Sequence, residues 1–166
     1  MKAIFDPADL QVEEAKTVSP DMLAKMIRRA ERPVLVTGGK LLEDEVLADL
    51  ACEIAVRGKM EVVATGGSSK TFERFAGNGC DEPKVKTVRL TTLHHFTQMV
   101  LDGLYDRRLL VFLGFEPYLL SRMLSSIRHF SKAITVSIDP VYQPHARLSF
   151  PNCENYGLLE TLVSFL

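Results

Sequence analysis

The stretch RPVLVTGGKLLEDEVLADLACEIAVRGK, residues 32–59, constrains this chain more than any other. Val34, Leu35 and Val36 follow Pro33 and lead directly into Gly38 and Gly39, after which Val46, Leu47, Leu50, Ile54 and Ala55 recur at helical spacing from about Leu42 onward. A short, nearly all-apolar strand is the pattern of a strand buried on both faces of a sheet. Strand, glycine turn and amphipathic helix in that order make the first half of a parallel crossover unit, so the chain is directed toward a parallel sheet sandwiched by helices.

The alternation continues along the sequence. Residues 17–33, TVSPDMLAKMIRRAERP, read as a helix with Ser19 as N-cap, Pro20 at the first helical position and Asp21 complementing the dipole. MEVVAT gives a further strand, GGSSKTFERFAG a turn and short helix, and VKTVRLTT a more polar strand suited to a sheet edge. LHHFTQMVLDGL is helical, RLLVFLG is the strongest strand, a helix spans about 117–130, and KAITVSID is a strand ahead of the loop PVYQPHARLSF. ENYGLLETLVSFL closes the chain as an amphipathic helix, Gly58 stands where a glycine ends the crossover helix, and Met22, Met26, Met99 and Met123 fall on apolar helical faces as core packing. The reading is α/β: one doubly wound parallel sheet of about six strands with helices on both faces. Residues 1–18 form an N-terminal arm without clear period that docks on the body or on a partner, and 19–166 form a Rossmann-like domain.

In a sheet of this kind ligands bind at the carboxyl ends of strands where the winding direction changes. Loops 37–40, 114–117 and 139–144 have that placement and should converge. Gly38 and Gly39 let backbone approach a diphosphate, Lys40 offers a charge, and Gly114, Asp139 and Pro140 would line the adenosine side. A tight strand-to-helix turn without ligand explains the two glycines equally well. The fingerprint G-x-G-x-x-G is absent, and the second strand ends in Thr65 where an NAD enzyme carries an acid. TGGSSK lacks phosphate-loop spacing, and GNGCDEP is a surface turn.

Composition narrows the function classes. Lys and Arg total 20 against 21 Asp and Glu, so no basic field exists to release counterions from a nucleic acid. Cys52, Cys80 and Cys153 are widely spaced, which excludes a disulfide framework and a clustered zinc or iron–sulfur site. No run suits export or membrane insertion, and a reducing cytoplasm fits. His94 and His95 open a helix as a polar pair with no third ligand nearby, and Ser68 and Ser69 lie outside any nucleophile motif, so no catalytic residue is assigned.

TVSPDMLAKMIRRAERPVLVTGG, MEVVATGGSS, LLVFLGFEPYLLSRMLSSIRHFS and ITVSID, taken as a series, resemble the epsilon subunit of the archaeal acetyl-CoA decarbonylase/synthase complex, from about Thr17 to the C-terminus. The resemblance implies a fold similar to the central domain of thiamine-diphosphate enzymes and to the flavin domain of electron-transfer flavoproteins. It also implies a non-catalytic small subunit of a carbon monoxide dehydrogenase complex in archaeal one-carbon metabolism and methanogenesis, paired with the alpha subunit as alpha2-epsilon2. The epsilon role would be to stabilise the alpha subunit or to help electrons reach FAD, with the metal clusters in other subunits. Self-association of the isolated chain stays open, as does the alternative of a free-standing FAD or nucleotide-binding redox module. Related FAD-binding domains commonly carry an arginine after the glycine that ends the fourth strand, where this chain has Phe115, with Arg122 the nearest arginine.

Overall fold

The computed structural model describes residues 14–76 and 88–166. Seven strands form one all-parallel sheet: β1 (Lys16–Thr17), β2 (Val34–Thr37), β3 (Glu61–Ala64), β4 (Val88–Leu90), β5 (Leu109–Leu113), β6 (Ile134–Ser137) and β7 (Leu148–Ser149). Their order across the sheet is β1-β7-β6-β5-β2-β3-β4. The chain therefore winds outward from β2 through β3 to β4, returns to the centre at β5, and winds the other way through β6 to β7, which is a doubly wound α/β fold. The reversal lies between β2 and β5.

Among the described residues six α-helices cover the sheet: α1 (Pro20–Arg29), α2 (Glu45–Arg57), α3 (Ser69–Ala76), α4 (Leu93–Leu101), α5 (Pro117–Phe130) and α6 (Gly157–Phe165). Alternation along the strands decides which helix meets which face. Leu35, Val62 and Val111 point into one core with Leu23 and Ile27 of α1, Leu47 and Ile54 of α2 and Leu162 of α6. Val34, Val36, Leu110 and Phe112 point into the other, against Phe96 of α4 and Leu120, Leu124 and Ile127 of α5. β2 and β5 are buried throughout, as their apolar runs require, and the polar strand β4 takes an edge.

The strands seen in the sequence are joined by two that it does not announce. β1 and β7 have two residues each, and β7 lies inside the stretch read as a loop. In the segment assigned to the arm, Lys16 and Thr17 pair with Leu148 and Ser149, Ala15 and Val18 are buried, and Tyr142 Oη donates to the Ala15 carbonyl. Residues 1–13 and the GNGCDEP turn with Cys80 fall outside the described residues.

Three local readings change. Ser19 precedes α1 as expected, but its hydroxyl donates to Asp21 Oδ1 at 2.5 Å and caps no backbone amide. Gly58 ends α2 with φ −77°, and the left-handed residue is Lys59, at φ 50°. Glycine is required at 58 for space, since a Cβ there would lie 2.8 Å from the Ile54 carbonyl oxygen. Met22 is 55% exposed, while Met26, Met99 and Met123 do pack against the cores.

Candidate functional site

The loops after β2, β5 and β6 meet at the reversal point, on the rim formed by the carboxyl ends of the strands. Gly38 N–H donates to the Leu113 carbonyl at 2.9 Å and Lys40 N–H to the Gly114 carbonyl at 3.1 Å, which ties the first loop to the second. The Asp139 carboxylate ties in the third. Its Oδ1 accepts from Gly114 N–H at 2.6 Å, and the Phe115 amide also donates to it. Pro140 follows, and its carbonyl accepts from Cys153 N–H at 3.0 Å.

Two of the glycines here are forced by a neighbour. Gly38 is extended, at φ −105° and ψ 179°, so no unusual backbone angle calls for glycine. A Cβ on it would instead overlap the Gly114 carbonyl oxygen and stand 2.7 Å from the Phe115 ring. Gly114 sits at φ 83°, in the left-handed region, and a Cβ there would overlap the Leu41 side chain. Gly39 is looser, with only the Gly66 carbonyl at 3.6 Å. Lys40 turns its ammonium to Glu116 at 3.3 Å.

The helix that follows does not begin at Leu42. A 3-10 turn occupies Gly39–Leu42, and α2 begins at Glu45, after Asp44, whose Oδ1 accepts from Leu47 N–H at 3.0 Å. Tyr156 Oη donates to the other Asp44 oxygen at 2.6 Å. That hydrogen bond, seconded by the Leu47 amide, holds the Asp44 carboxyl below the ordinary carboxylate range, while burial first and Asp44 second push the Tyr156 phenol up to about 12. The amino end of α2 is thus satisfied by an acid of its own chain.

Asp139 is the chemically distinctive group on the rim. It is 4% exposed, and burial pushes its carboxyl up to about 7 despite the two amides and the Lys40 charge that favour the ionised form. Its Oδ2 is buried with no hydrogen-bond partner, as are Ser137 Oγ and Gln143 Oε1. Beside the rim, the Thr37 carbonyl accepts from Thr65 N–H, Thr65 Oγ1 and Ser68 Oγ, closing the ends of β2 and β3 with hydroxyls.

Much of the backbone that a diphosphate would use here is already bonded within the chain. The amides of Gly38, Lys40, Leu41, Gly114 and Phe115 are all engaged within the chain. The partnerless oxygen nearest them belongs to a carboxyl group, which would repel an anion when ionised. The six residues singled out from the sequence are therefore gathered on one rim, where hydrogen bonds join Lys40 to Gly114 and Gly114 to Asp139. Among the described residues no group of three or more His, Cys, Asp or Glu is placed to hold a metal ion, and no helix is long and apolar enough to cross a membrane.

Sequence reading missed a second polar cluster at the opposite end of the sheet. Glu61, 9% exposed at the start of β3, receives Arg108 Nη2 at 2.8 Å, Arg89 Nε at 3.3 Å and Arg32 Nη2 at 3.6 Å. Arg108 also donates twice to the Arg32 carbonyl and stacks over Tyr105. The only trace in the sequence is an acid at the head of an otherwise apolar strand.

Comparison with known proteins places this architecture. The profile of the CO dehydrogenase beta subunit/acetyl-CoA synthase epsilon subunit family matches residues 2–163. The chain belongs to this family. Relatives include acetyl-CoA decarbonylase/synthase complex subunit epsilon 1 of Archaeoglobus fulgidus, 48% identical over 159 residues covering 89% of this chain and 80% of the relative. Subunit epsilon 2 of Methanosarcina mazei is 30% identical, with 93% and 91% covered, and the epsilon subunit of Methanocaldococcus jannaschii is 29% identical, with 99% and 94% covered. The epsilon-family match thus spans both windings of the sheet and the rim where they meet.

Proposed function

We propose that this chain is a non-catalytic subunit of an acetyl-CoA decarbonylase/synthase complex that associates with the carbon monoxide dehydrogenase alpha subunit and stabilises it. The observation that carries the reading is the 48% identity to an epsilon subunit along most of both chains. The rim supports it, because the amides of Gly38, Lys40 and Gly114, which a ligand at the reversal point would use, bond within the chain. On this reading the six rim residues act as a structural clasp, in an intracellular protein whose metal chemistry resides in its partners.

The test is reconstitution. The purified alpha subunit from the same organism should bind the chain and keep its CO-oxidising activity longer at elevated temperature, while the chain alone oxidises no CO. An alpha subunit whose binding and inactivation rate ignore the chain would defeat the proposal. The alternative of an FAD-binding redox module has in its favour that the three loops meet on one rim. FAD titration into wild type and Gly38→Val separates the two readings: saturable binding by wild type that the folded variant loses favours the flavin module, and no binding by either favours the clasp.

A further inference from the structure

The end of the sheet opposite the rim is open. A groove of about 610 Å³ runs there between the carboxyl end of α1 and the turn ahead of β5, with Met26 and Ile134 among its apolar walls. Ile134 begins β6 and is 37% exposed, unusual for a strand inside a sheet. Arg29, Arg32, Arg107 and Arg108 line the groove against Glu31 and Asp106. Behind them Glu61 neutralises part of Arg32, Arg89 and Arg108 at once, so five guanidiniums face three carboxylates on a chain whose net charge is −1. Among the described residues neither Arg29 nor Arg107 has a carboxylate partner.

Two further observations give this face a direction. Arg107 holds φ 60°, a left-handed backbone that glycine adopts without strain and arginine does not, so a guanidinium is presented at a position where the backbone alone favours glycine. A second groove, lined by Phe130 and sharing Asp106 with the first, extends the surface, and Phe130 there is 75% exposed. Apolar walls, an outward aromatic and unneutralised arginines complement a segment that carries carboxylates around an apolar anchor.

We propose that this groove is the docking surface for an acidic, apolar-anchored segment of the partner subunit. The proposal rests on the subunit reading above and adds where the partner sits. Excess guanidinium charge in the groove then draws the segment in, Met26 and Ile134 receive its apolar side chain, and Phe130 extends the contact.

The test measures binding of the purified carbon monoxide dehydrogenase alpha subunit to four proteins: wild type, Arg29→Glu/Arg107→Glu, Arg107→Gly, and a control Lys16→Glu/Arg122→Glu with the same change in charge. The groove reversal should weaken binding tenfold or more and flatten its salt dependence, with the control near wild type. Arg107→Gly should bind more weakly while melting at a higher temperature, a pairing that loss of folding cannot produce. Wild-type affinity in both groove variants overturns the docking surface and leaves the subunit reading intact. Equal losses in groove and control variants reduce the effect to overall charge and also overturn it. An isolated chain that dimerises, and that the groove reversal makes monomeric, assigns the groove to a second copy and overturns it as well. No binding by wild type removes the subunit reading and the docking surface together.

Discussion

Gly38 and Asp139 separate two reasons a residue can look functional. Gly38 is glycine because the Gly114 carbonyl occupies the space a side chain would need, a steric demand made by backbone 76 positions away in sequence. Gly38→Ala should therefore lower stability by about 1–3 kcal/mol, the usual cost of overpacking a closed site, and Gly114→Ala should cost at least as much because a left-handed backbone adds to the clash. Urea unfolding of both variants measures this, and a neutral Gly38→Ala would mean that the loops part easily. Asp139 makes a prediction about pH. Its carboxyl titrates near 7 when folded and near its ordinary value when unfolded, so between about pH 4 and pH 7 the folded chain holds a proton that the unfolded chain releases. Its contribution is present in full below the ordinary value and is lost as pH rises through about 7. The melting temperature of Asp139→Asn should consequently fall less than that of wild type across this window, and parallel pH profiles would contradict the burial argument.

At the scale of elements, the legible parts are those written as runs. β2, β5, the interval of α5 and the edge position of β4 follow from apolar density and spacing, because burying such runs dominates the local free energy. β1 and β7 have no run to read. Each has two residues, and they exist because β6 offers β7 an edge to pair with, and β7 in turn offers one to β1. The start of α2 is hidden for a related reason: apolar periodicity sees Val46 and Leu47 but not that Asp44, between two glutamates, turns back to cap the helix. The rim glycines were visible, yet the occupant of their space is a distant carbonyl, which no local pattern encodes. Asp139, a polar residue just past a strand, reads as the lining of a ligand crevice until its burial and its bond to the Gly114 amide are known. Asp44→Ala should remove both the cap and the Tyr156 link to the C-terminal segment, costing on the order of 1–2 kcal/mol. The low-lying Asp44 pKa adds a sign opposite to that of Asp139: its contribution is present above the ordinary carboxylate value and lost as pH falls through the folded one. Chemical denaturation at neutral and acid pH checks this, with the gap between Asp44→Ala and wild type expected to narrow in acid.

At the scale of the molecule, two cores share one sheet, so the strands that separate them are the last to come free. β2 and β5 lie side by side at the reversal, each buried on both faces, and every crossover from one winding to the other passes them. The edges differ in kind. β1 holds by two residues at one margin, and β4 holds by three at the other with Leu90 69% exposed. Local opening free energies follow buried contacts and shared hydrogen bonds, so amide exchange should rank the strands by their distance from the reversal. Amides of Leu35, Val36, Val111 and Phe112 should exchange only through global unfolding and share its denaturant dependence. Those of Lys16 and Val18, bonded to the β7 segment, and of Thr91, bonded to Ala64, should exchange through smaller openings that denaturant barely accelerates. The rim clasp adds a sharper expectation, because Gly38 and Lys40 N–H donate across the reversal to Leu113 and Gly114. If the clasp is structural, these two loop amides should be protected nearly as well as the strands they follow. Rapid exchange at 38 and 40 beside slow exchange at 36 and 112 would show a rim that opens on its own while the sheet stays intact, which is the behaviour a ligand-admitting crevice needs and a clasp does not.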